Sequence, residues 1–555
     1  MSDIAALVTD NLDVWTGATE RKSGAGRGGG KRISLYGIDR LRALILDLAV
    51  RGKLVPQDTA DEPASELLKM VAADRKALIM QGKISKPKAL PKVGLDEISV
   101  PDAWATARFG NIFSLEYGDN LPEPKRSGTG EYNVYGSNGV VGTHHSYRIE
   151  QPCVVVGRKG SAGALNVSTE PCWVTDVAYY CIPPAGIELR FQFILFQTLG
   201  LDVLGKGIKP GLNRNEANVL PVGLPPLAEQ QRIVAKVDEL MALCDTLEKE
   251  SAGAMAAQQA LAEILLASLV NSADATDLAR DWSRLERHFD TLFTTDASID
   301  ALKQTILDLA VRGKLLERDS REEPVSLLVQ DWKKAKGTAL KSAGDRRIKI
   351  APDPKAPPFP LPEHWAFQSF ENIFLFIDYR GNTPPKTSNG IPLITAKNVR
   401  MGYLDREPRE FISEETFPKW MTRGFPKVDD LFFTTEAPLG NICQNDIEEP
   451  FAIAQRLICF RPYGDVNTRF FMLAIMSRSM QKVLDDHATG MTARGIKAAK
   501  LKLLPLPVPP TAEQHRIVAK VDALMALCDA LKTQLSEAAQ TQRNLANAIT
   551  KRAVA

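Results

Sequence analysis

The stretch EQQRIVAKVDELMALCDTL (Glu229–Leu247) is written again as EQHRIVAKVDALMALCDAL (Glu513–Leu531), 284 residues further along the same chain. Two near-identical segments of this length restrict the fold more than any total does. Each needs the same packing surface around it, so the chain has to build that surface twice.

The repeat is wider than the segment that exposes it. LRALILDLAVRGKLVPQDTADEPASELL, from Leu41, returns as LKQTILDLAVRGKLLERDSREEPVSLL from Leu302, and PDAWATARFGNIF, from Pro101, returns as PEHWAFQSFENIF from Pro362, both 261 residues later. The larger offset of the first pair puts 23 additional residues between the tryptophan motif and the double proline of the second copy. NLDVW at Asn11 echoes HFDTLF at His288 with an offset of 277, which leaves an excess of sixteen residues in the first copy, assigned to RKSGAGRGGGKR.

The shared segments read as helices. From Ile233, apolar positions alternate by four and three residues through Val237, Leu240, Cys244 and Leu247. The second copy matches with Ile517, Val521, Leu524, Cys528 and Leu531. That spacing is a coiled-coil seam, continuing with a polar Gln258 and Gln542 at equal positions. Pro225–Pro226 and Pro509–Pro510 close the way backwards, since a helix cannot extend through them. Each long helix is then expected to be about 50 Å long at 1.5 Å per residue. ILDLAVRGKL is a second shared helix that stops at Gly52 and at Gly313.

Between these parts the two copies diverge. CVVVGRKGSAGALNV and CWVTDVAYYCI in the first copy, and IPLITAKNV, DLFFTTEAPLGNIC and FAIAQRLICF in the second, read as strands broken by glycine turns. The predicted fold class is α+β. Two α/β recognition domains are separated by two long helices forming an antiparallel coiled coil, with an internal pseudo-two-fold repeat. The boundaries predicted are 1–100 for an N-terminal helical region with the Gly-rich insert, 101–224 for the first variable domain and 225–361 for a central helical region. Within that region the long helix covers 225–270 and the second shared helix 299–315. The second variable domain covers 362–508, and 509–555 is a C-terminal coiled-coil helix.

At 555 residues the chain has room for three or four compact units, and its 44% hydrophobic and 25% charged residues are ordinary for a globular protein. A net charge of +2 means that a nucleic-acid partner has to be met by local basic patches. Seven cysteines, none in a C-x₂-C pair, predict small buried thiols and no zinc site. The N-terminus lacks the basic and apolar blocks of a secretory signal, and no stretch reads as the roughly 18 apolar residues of a membrane span. The expectation is a cytoplasmic protein with no membrane partner.

Catalytic motifs are near misses. GAGRGG at Gly24 has no strand before it, KGSAG at Lys159 lacks the first glycine of a nucleophile elbow, and VDDLFFTTEAP has no lysine two residues after Glu436. The chain is read as non-catalytic, with no metal and no cofactor of its own.

Two diverged domains on two matching helices suit the reading of DNA at two places. Taken in order, ILDLAVRGKL, LPPLAEQQRIVAKVD, PLITAKNV, FTTEAPLGN, AIAQRL and VPPTAEQHRIVAKVD resemble the specificity subunit of type I restriction-modification systems, over nearly the whole chain. The resemblance implies two target recognition domains, each reading half of a bipartite, asymmetric site on double-stranded DNA. It implies helices that dock two methyltransferase subunits using S-adenosylmethionine to modify adenine at N6. A further restriction subunit, a motor-nuclease using ATP and Mg, would cut unmodified foreign DNA.

Candidate DNA contacts are the polar and basic residues of the variable loops. In the first domain these are Arg158, Lys159, Lys206, Lys209, Asn213 and Arg214, with Tyr135, Ser137 and Asn138 in VYGSNG. In the second they are Lys397, Asn398, Arg400, Arg494 and Lys497. Arginine suits guanine, asparagine adenine, and lysine phosphate. The rival reading is a non-enzymatic coiled-coil adaptor whose variable domains bind proteins, favoured by the modest net charge.

Overall fold

Each long helix begins on the residue after its double proline, and what anchors that first turn sets the architecture. A computed structural model of the chain describes residues 4–22, 32–81, 89–94, 96–204, 211–342, 351, 354, 357–379, 383–490 and 494–554. It divides into two units, Met1–Ala254 with Glu537–Ala555, and Met255–Ser536.

The helices that organise these units are α1 (Tyr36–Val50), α2 (Leu189–Thr198), α3 (Arg214–Asn218), α4 (Leu227–Asn271), α5 (Asp296–Val311), α6 (Thr468–Met476), α7 (Ala498–Leu501) and α8 (Thr511–Val554). The long helices α4 and α8 hold 45 and 44 residues. At 1.5 Å per residue each is about 67 Å long, longer than the seam alone predicts, because each helix begins six residues before the first seam position, Ile233 or Ile517, and runs on past the last.

In the first unit, three shared motifs meet. α1 ends at a left-handed Gly52 (φ 68°), where Lys53 N–H returns to Leu48 O at 3.0 Å. A Cβ on Gly52 would lie 2.4 Å from Pro101 Cγ, so the LAVRGKL glycine is required both by its φ and by the proline of the tryptophan motif. Trp104 is buried beside it and donates its indole N–H to Glu229 Oε2 at 3.0 Å, while Gln57 Nε2 donates to Glu229 Oε1 at 2.6 Å. Gln230 accepts from the backbone N–H of Glu188, the N-cap of α2, at 2.9 Å and donates to Pro225 O at 3.1 Å.

The second unit repeats this junction with one donor exchanged, His364 in place of Gln57. Gly313 (φ 67°) abuts Pro362, Trp365 donates to Glu513 Oε2 at 3.0 Å, and His364 Nε2 lies 3.0 Å from the same oxygen. Gln514 accepts from Asn467 N–H, the N-cap of α6, at 3.0 Å and donates to Pro509 O at 3.0 Å. The AEQ of the repeat is thus a clamp: glutamate holds the tryptophan, and glutamine holds the head.

Ion pairs follow the same repeat. Arg232–Asp61 at 2.6 Å corresponds to Arg516–Glu322 at 2.9 Å, and Arg190–Asp238 at 2.6 Å to Arg469–Asp522 at 2.6 Å. Arg42 reaches Asp245 at 2.6 Å, where the second copy pairs Lys303 with Asp529. The RGKL lysine caps the far end of a long helix: Lys53 donates to Val554 O at 2.7 Å, and Lys314 to Val270 O at 2.7 Å and Ser272 O at 2.8 Å.

Along the seam, Ile233, Val237, Leu240, Ile517 and Val521 are buried, and Leu247, Leu524 and Leu531 are half-buried. Further along, Leu261 and Leu545 are exposed. Among the described residues no hydrogen bond or ion pair joins α4 to α8; the polar partners of each lie on the shared helices, the flanking loops and the heads. In the second unit Ala262, Leu266 and Leu269 of α4 and Ile517, Val521 and Cys528 of α8 enter one core with α5 and α6. By length and composition alone, α4 contains an 18-residue stretch of mean hydropathy 1.4 that could cross a membrane, which corrects the expectation that no stretch comes close. All seven cysteines are buried and free.

The two heads share one topology despite their divergent sequences. Head 1 has β1 (Ala105–Arg108), β2 (Glu116–Tyr117), β3 (Tyr132–Gly136), β4 (Gly139–His144), β5 (Cys153–Gly157), β6 (Leu165–Ser168), β7 (Cys172–Val174), β8 (Ala178–Cys181) and β9 (Pro221–Leu224). Head 2 has β10 (Ala366–Ser369), β11 (Phe374–Asp378), β12 (Ile391–Ile394), β13 (Phe411–Ile412), β14 (Leu431–Thr434), β15 (Ile442–Gln444), β16 (Ala452–Ile453), β17 (Leu457–Pro462) and β18 (Pro505–Val508). The sheets of head 1 run β2-β8-β5-β6, β4-β3-β7 and β9-β1; those of head 2 run β11-β17-β14-β15, β13-β12-β16 and β18-β10. Each head has one parallel pair, β3–β7 and β12–β16, in the corresponding place.

Burial pushes the Glu229 carboxyl up from its ordinary value, against the pull of Gln57 and Trp104. The folded carboxyl therefore holds its proton more tightly than the unfolded one. The resulting stability is complete below the ordinary carboxyl value and is lost as pH rises through the raised one. Glu229→Gln removes that titration, so its stability relative to the parent should rise with pH across that window in urea melts from about pH 4 to about pH 8. Glu229→Ala should instead cost about 1–3 kcal/mol for each donor left without its acceptor.

Candidate nucleic-acid interface

In head 1 three loops converge at one end of the four-stranded sheet. The first is the β3–β4 turn with Ser137 and Asn138, the second is the loop Arg158–Ser161 after β5, and the third runs from Gly211 into α3. Ser137 Oγ lies 3.7 Å from where a Cβ on Gly160 would sit. Lys159 bridges Gly211, and Leu212 N–H donates to Arg158 O at 2.8 Å. Ser137, Asn138, Arg158, Lys159, Asn213 and Arg214 therefore fall in one neighbourhood.

At its centre is Tyr117, at the end of β2 and 48% exposed. The guanidinium carbon of Arg158 lies 4.7 Å from its ring centroid and that of Arg214 4.8 Å. Arg158 Nη1 donates to Asp176 O at 2.7 Å and Arg214 Nη1 to Leu115 O at 3.4 Å. Tyr179 packs on Tyr117 at 5.1 Å and donates its hydroxyl to Leu212 O at 3.1 Å; burial, then Tyr117, pushes its phenol up to about 12. Lys159 and Asn138 are exposed, and Asn213 is exposed as the N-cap of α3, accepting from Asn215 N–H at 3.0 Å. Among the described residues neither arginine nor Lys159 is in an ion pair with a carboxylate.

Head 2 uses the same loops with different chemistry. Glu436 bridges Gly495, and Ile496 N–H donates to Thr435 O at 3.0 Å, the counterparts of the Lys159 and Leu212 contacts. Glu436 pairs with Arg456 at 2.8 Å, Arg494 with Asp485 at 2.8 Å, Arg400 with Asp405 at 3.2 Å, and Lys397 with Glu410 at 3.5 Å. Lys497 is exposed at the N-cap of α7. Arg494 and Lys497 lie on the loop between the helix Arg478–Asp486 and α7, which reaches Glu436; Lys397 and Arg400 lie on the loop after β12.

Two expected contacts are corrected. Tyr135 is buried in the sheet core, with its hydroxyl donating to Val167 O at 3.3 Å, because β3 is the central strand of its sheet. Asn398 is 2% exposed. It accepts from Thr395 N–H at 2.9 Å and donates to Asp405 O and Pro408 O at 3.1 Å each, so its amide is spent on folding its own loop. Lys206 and Lys209 lie outside the described residues. Sequence reasoning missed Tyr117, Tyr179, Glu436 as an ion-pair partner, and Arg456. The signal for Tyr117 was present: the offset of 261 that matches Phe113 to Phe374 sets Tyr117 opposite Asp378.

The family described as type I restriction modification DNA specificity domain matches twice, over residues 101–252 and 362–541. The EcoAI specificity subunit of the type I restriction enzyme of Escherichia coli is 33% identical, the alignment covering 99% of this chain and 100% of that one. The EcoEI specificity subunit, also from Escherichia coli, is 32% identical, covering 99% of each. Among solved structures, the HsdS subunit from Thermoanaerobacter tengcongensis is 17% identical with a TM-score of 0.37, covering 82% of this chain and 97% of that one.

Asn398→Ala should destabilise head 2 by about 1–3 kcal/mol through the polar groups it leaves unpaired, whereas Tyr135→Phe should cost about 1 kcal/mol or less. Thermal melts of the two variants beside the parent check both.

Proposed function

The chain belongs to the type I restriction-modification DNA specificity family, as a specificity subunit, and from that premise we propose how its parts divide the work. Head 1 and head 2 each read one half of a bipartite, asymmetric site on double-stranded DNA. The observation that carries this reading is the pair of heads with one strand order and one set of rim loops, in which the side chains on those loops differ. A common scaffold gives both heads the same approach to a duplex, and different donors and acceptors give them different sequences. The contacts proposed for head 1 are Arg158, Lys159, Asn213 and Arg214, with Ser137 and Asn138. For head 2 they are Lys397, Arg400, Arg494 and Lys497.

The long helices set the distance between the half-sites and carry two methyltransferase subunits. In support, each presents exposed leucines at matching positions, Leu243 with Leu527 and Leu261 with Leu545. An antiparallel coiled coil is proposed only for the seam positions other than Leu261 and Leu545, which are exposed. S-adenosylmethionine belongs to the methyltransferase subunits, ATP and Mg to a restriction subunit; the chain itself does no chemistry. The assembled complex methylates adenine at N6 and cleaves unmodified DNA in the cytoplasm. The adaptor reading is not favoured, since a protein-binding adaptor gives no reason for two matched domains of this family.

A modified-base map of cells carrying the whole system, with this gene intact and deleted, tests the reading. A split motif should lose N6-methyladenine on deletion; an unchanged map in cells expressing all subunits would sink it. Shortening α4 and α8 by equal whole turns should change the gap between half-sites, or abolish modification, and leave the half-site letters unchanged. Altered letters would count against the spacer role.

A further inference from the structure

The two rims differ in how their cations are held, and the shared strand register makes that comparison residue by residue. In head 1 Tyr117 pairs with Tyr179, which pairs with Val156; in head 2 Asp378 pairs with Ile458, which pairs with Phe433. Tyr117 and Asp378 thus occupy one position. Arg158, whose carbonyl accepts from Leu212, corresponds to Thr435, whose carbonyl accepts from Ile496. Arg214 opens α3 as Ala498 opens α7. All three members of the head 1 cluster are therefore replaced in head 2 within an unchanged backbone.

We propose that Tyr117 is a positioning residue of the DNA-facing rim, holding Arg158 and Arg214 as an uncompensated pair of cations, and that head 1 therefore supplies the larger share of salt-dependent affinity. This deepens the DNA-reading function proposed above and rests on it. The argument is electrostatic. Both guanidinium carbons sit within 5 Å of the ring centroid, at 4.7 and 4.8 Å. A ring face and a carbonyl fix each guanidinium without cancelling its charge, so both remain attractive to phosphate or to a guanine edge. In head 2 Arg456, Arg494, Arg400 and Lys397 already face Glu436, Asp485, Asp405 and Glu410. To meet a phosphate, such a cation has to leave a carboxylate that then stays nearby and repels the same phosphate. Fewer counterions are released per contact.

The test uses the complex of this chain with its methyltransferase subunits, on a duplex carrying both half-sites. The slope of log affinity against log salt changes by about 0.9 for each phosphate neutralised. Arg158→Gln with Arg214→Gln should flatten it by about 1.8, which makes the loss of affinity between about 50 and about 200 mM salt roughly tenfold smaller. Tyr117→Leu should flatten it by about 0.9 to about 1.8, and Tyr117→Phe, which keeps the ring, should keep the parental slope. Arg456→Gln with Arg494→Gln in head 2 should move it by less than about 0.9. Discrimination at the head 2 half-site, measured on scrambled duplexes, stays parental in every head 1 variant that folds. The glutamine pair tests the cations without removing the ring from the packing. Equal flattening by the two arginine pairs, or a parental slope in Arg158→Gln with Arg214→Gln, overturns the assignment while leaving the two-head reading standing. A parent complex with no preference for any half-site overturns both.

Discussion

A buried carboxylate at the start of each long helix is the constraint on which the rest depends. Glu229 and Glu513 are each 1% exposed, and an ionisable group so placed is costly unless donors surround it. The donors are supplied from elsewhere in the chain: an indole from the residue that opens each head, and a second group, Gln57 or His364, from a neighbouring loop. Remove the glutamate and both donors lose their acceptor. That interdependence explains why the tryptophan motif, the helix-ending glycine and the AEQ turn recur together, although more than 120 residues of chain separate Trp104 from Glu229 and Trp365 from Glu513.

What was legible in the sequence follows from what repeats there. The double prolines mark the start of each long helix, at Leu227 and Thr511, because a helix cannot extend back through them. The identity of the two heads was not legible. β5 and β14 share burial rather than sequence, as CVVVG and LFFT, and burial is satisfied by many side chains. The two near misses KGSAG and VDDLFFTTEAP overlap the same loop in the two heads, that of Lys159 and Glu436, which no local comparison reveals. Tyr135 and Asn398 misled for a common reason: a polar group in a loop-like stretch reads as available, and only three-dimensional neighbours show that its hydrogen bonds are already taken. Arg158 and Arg214 were legible as cations but not as partners, since Tyr117 comes from a third segment.

A net charge of +2 for the whole chain conceals how the charges are distributed. Among the described residues, head 2 keeps Lys397, Arg400, Arg456 and Arg494 beside carboxylates, though not Lys497, whereas head 1 sets Arg158 and Arg214 on aromatic and carbonyl groups. Exposed ion pairs contribute little to stability, about 0–1 kcal/mol, so their presence in one head and absence from the other leaves the fold largely indifferent. The scaffold tolerates either solution because the rim loops lie beyond the last paired residues of the sheet.

The glutamine clamp has a consequence for how such chains can change. Gln230 and Gln514 grip the heads through main-chain N–H groups, those of Glu188 and Asn467, and the side chains at those two positions are different. This part of the grip is indifferent to what the head spells; the arginine that each head sets on its long helix, Arg190 or Arg469, is the part that is not. A foreign segment that enters with a proline and a tryptophan, presents a helix start at the right place and carries an arginine there, meets every polar contact named at this junction. The frame thus constrains a head at its two ends and leaves the sequence between them free to differ, as it does between head 1 and head 2.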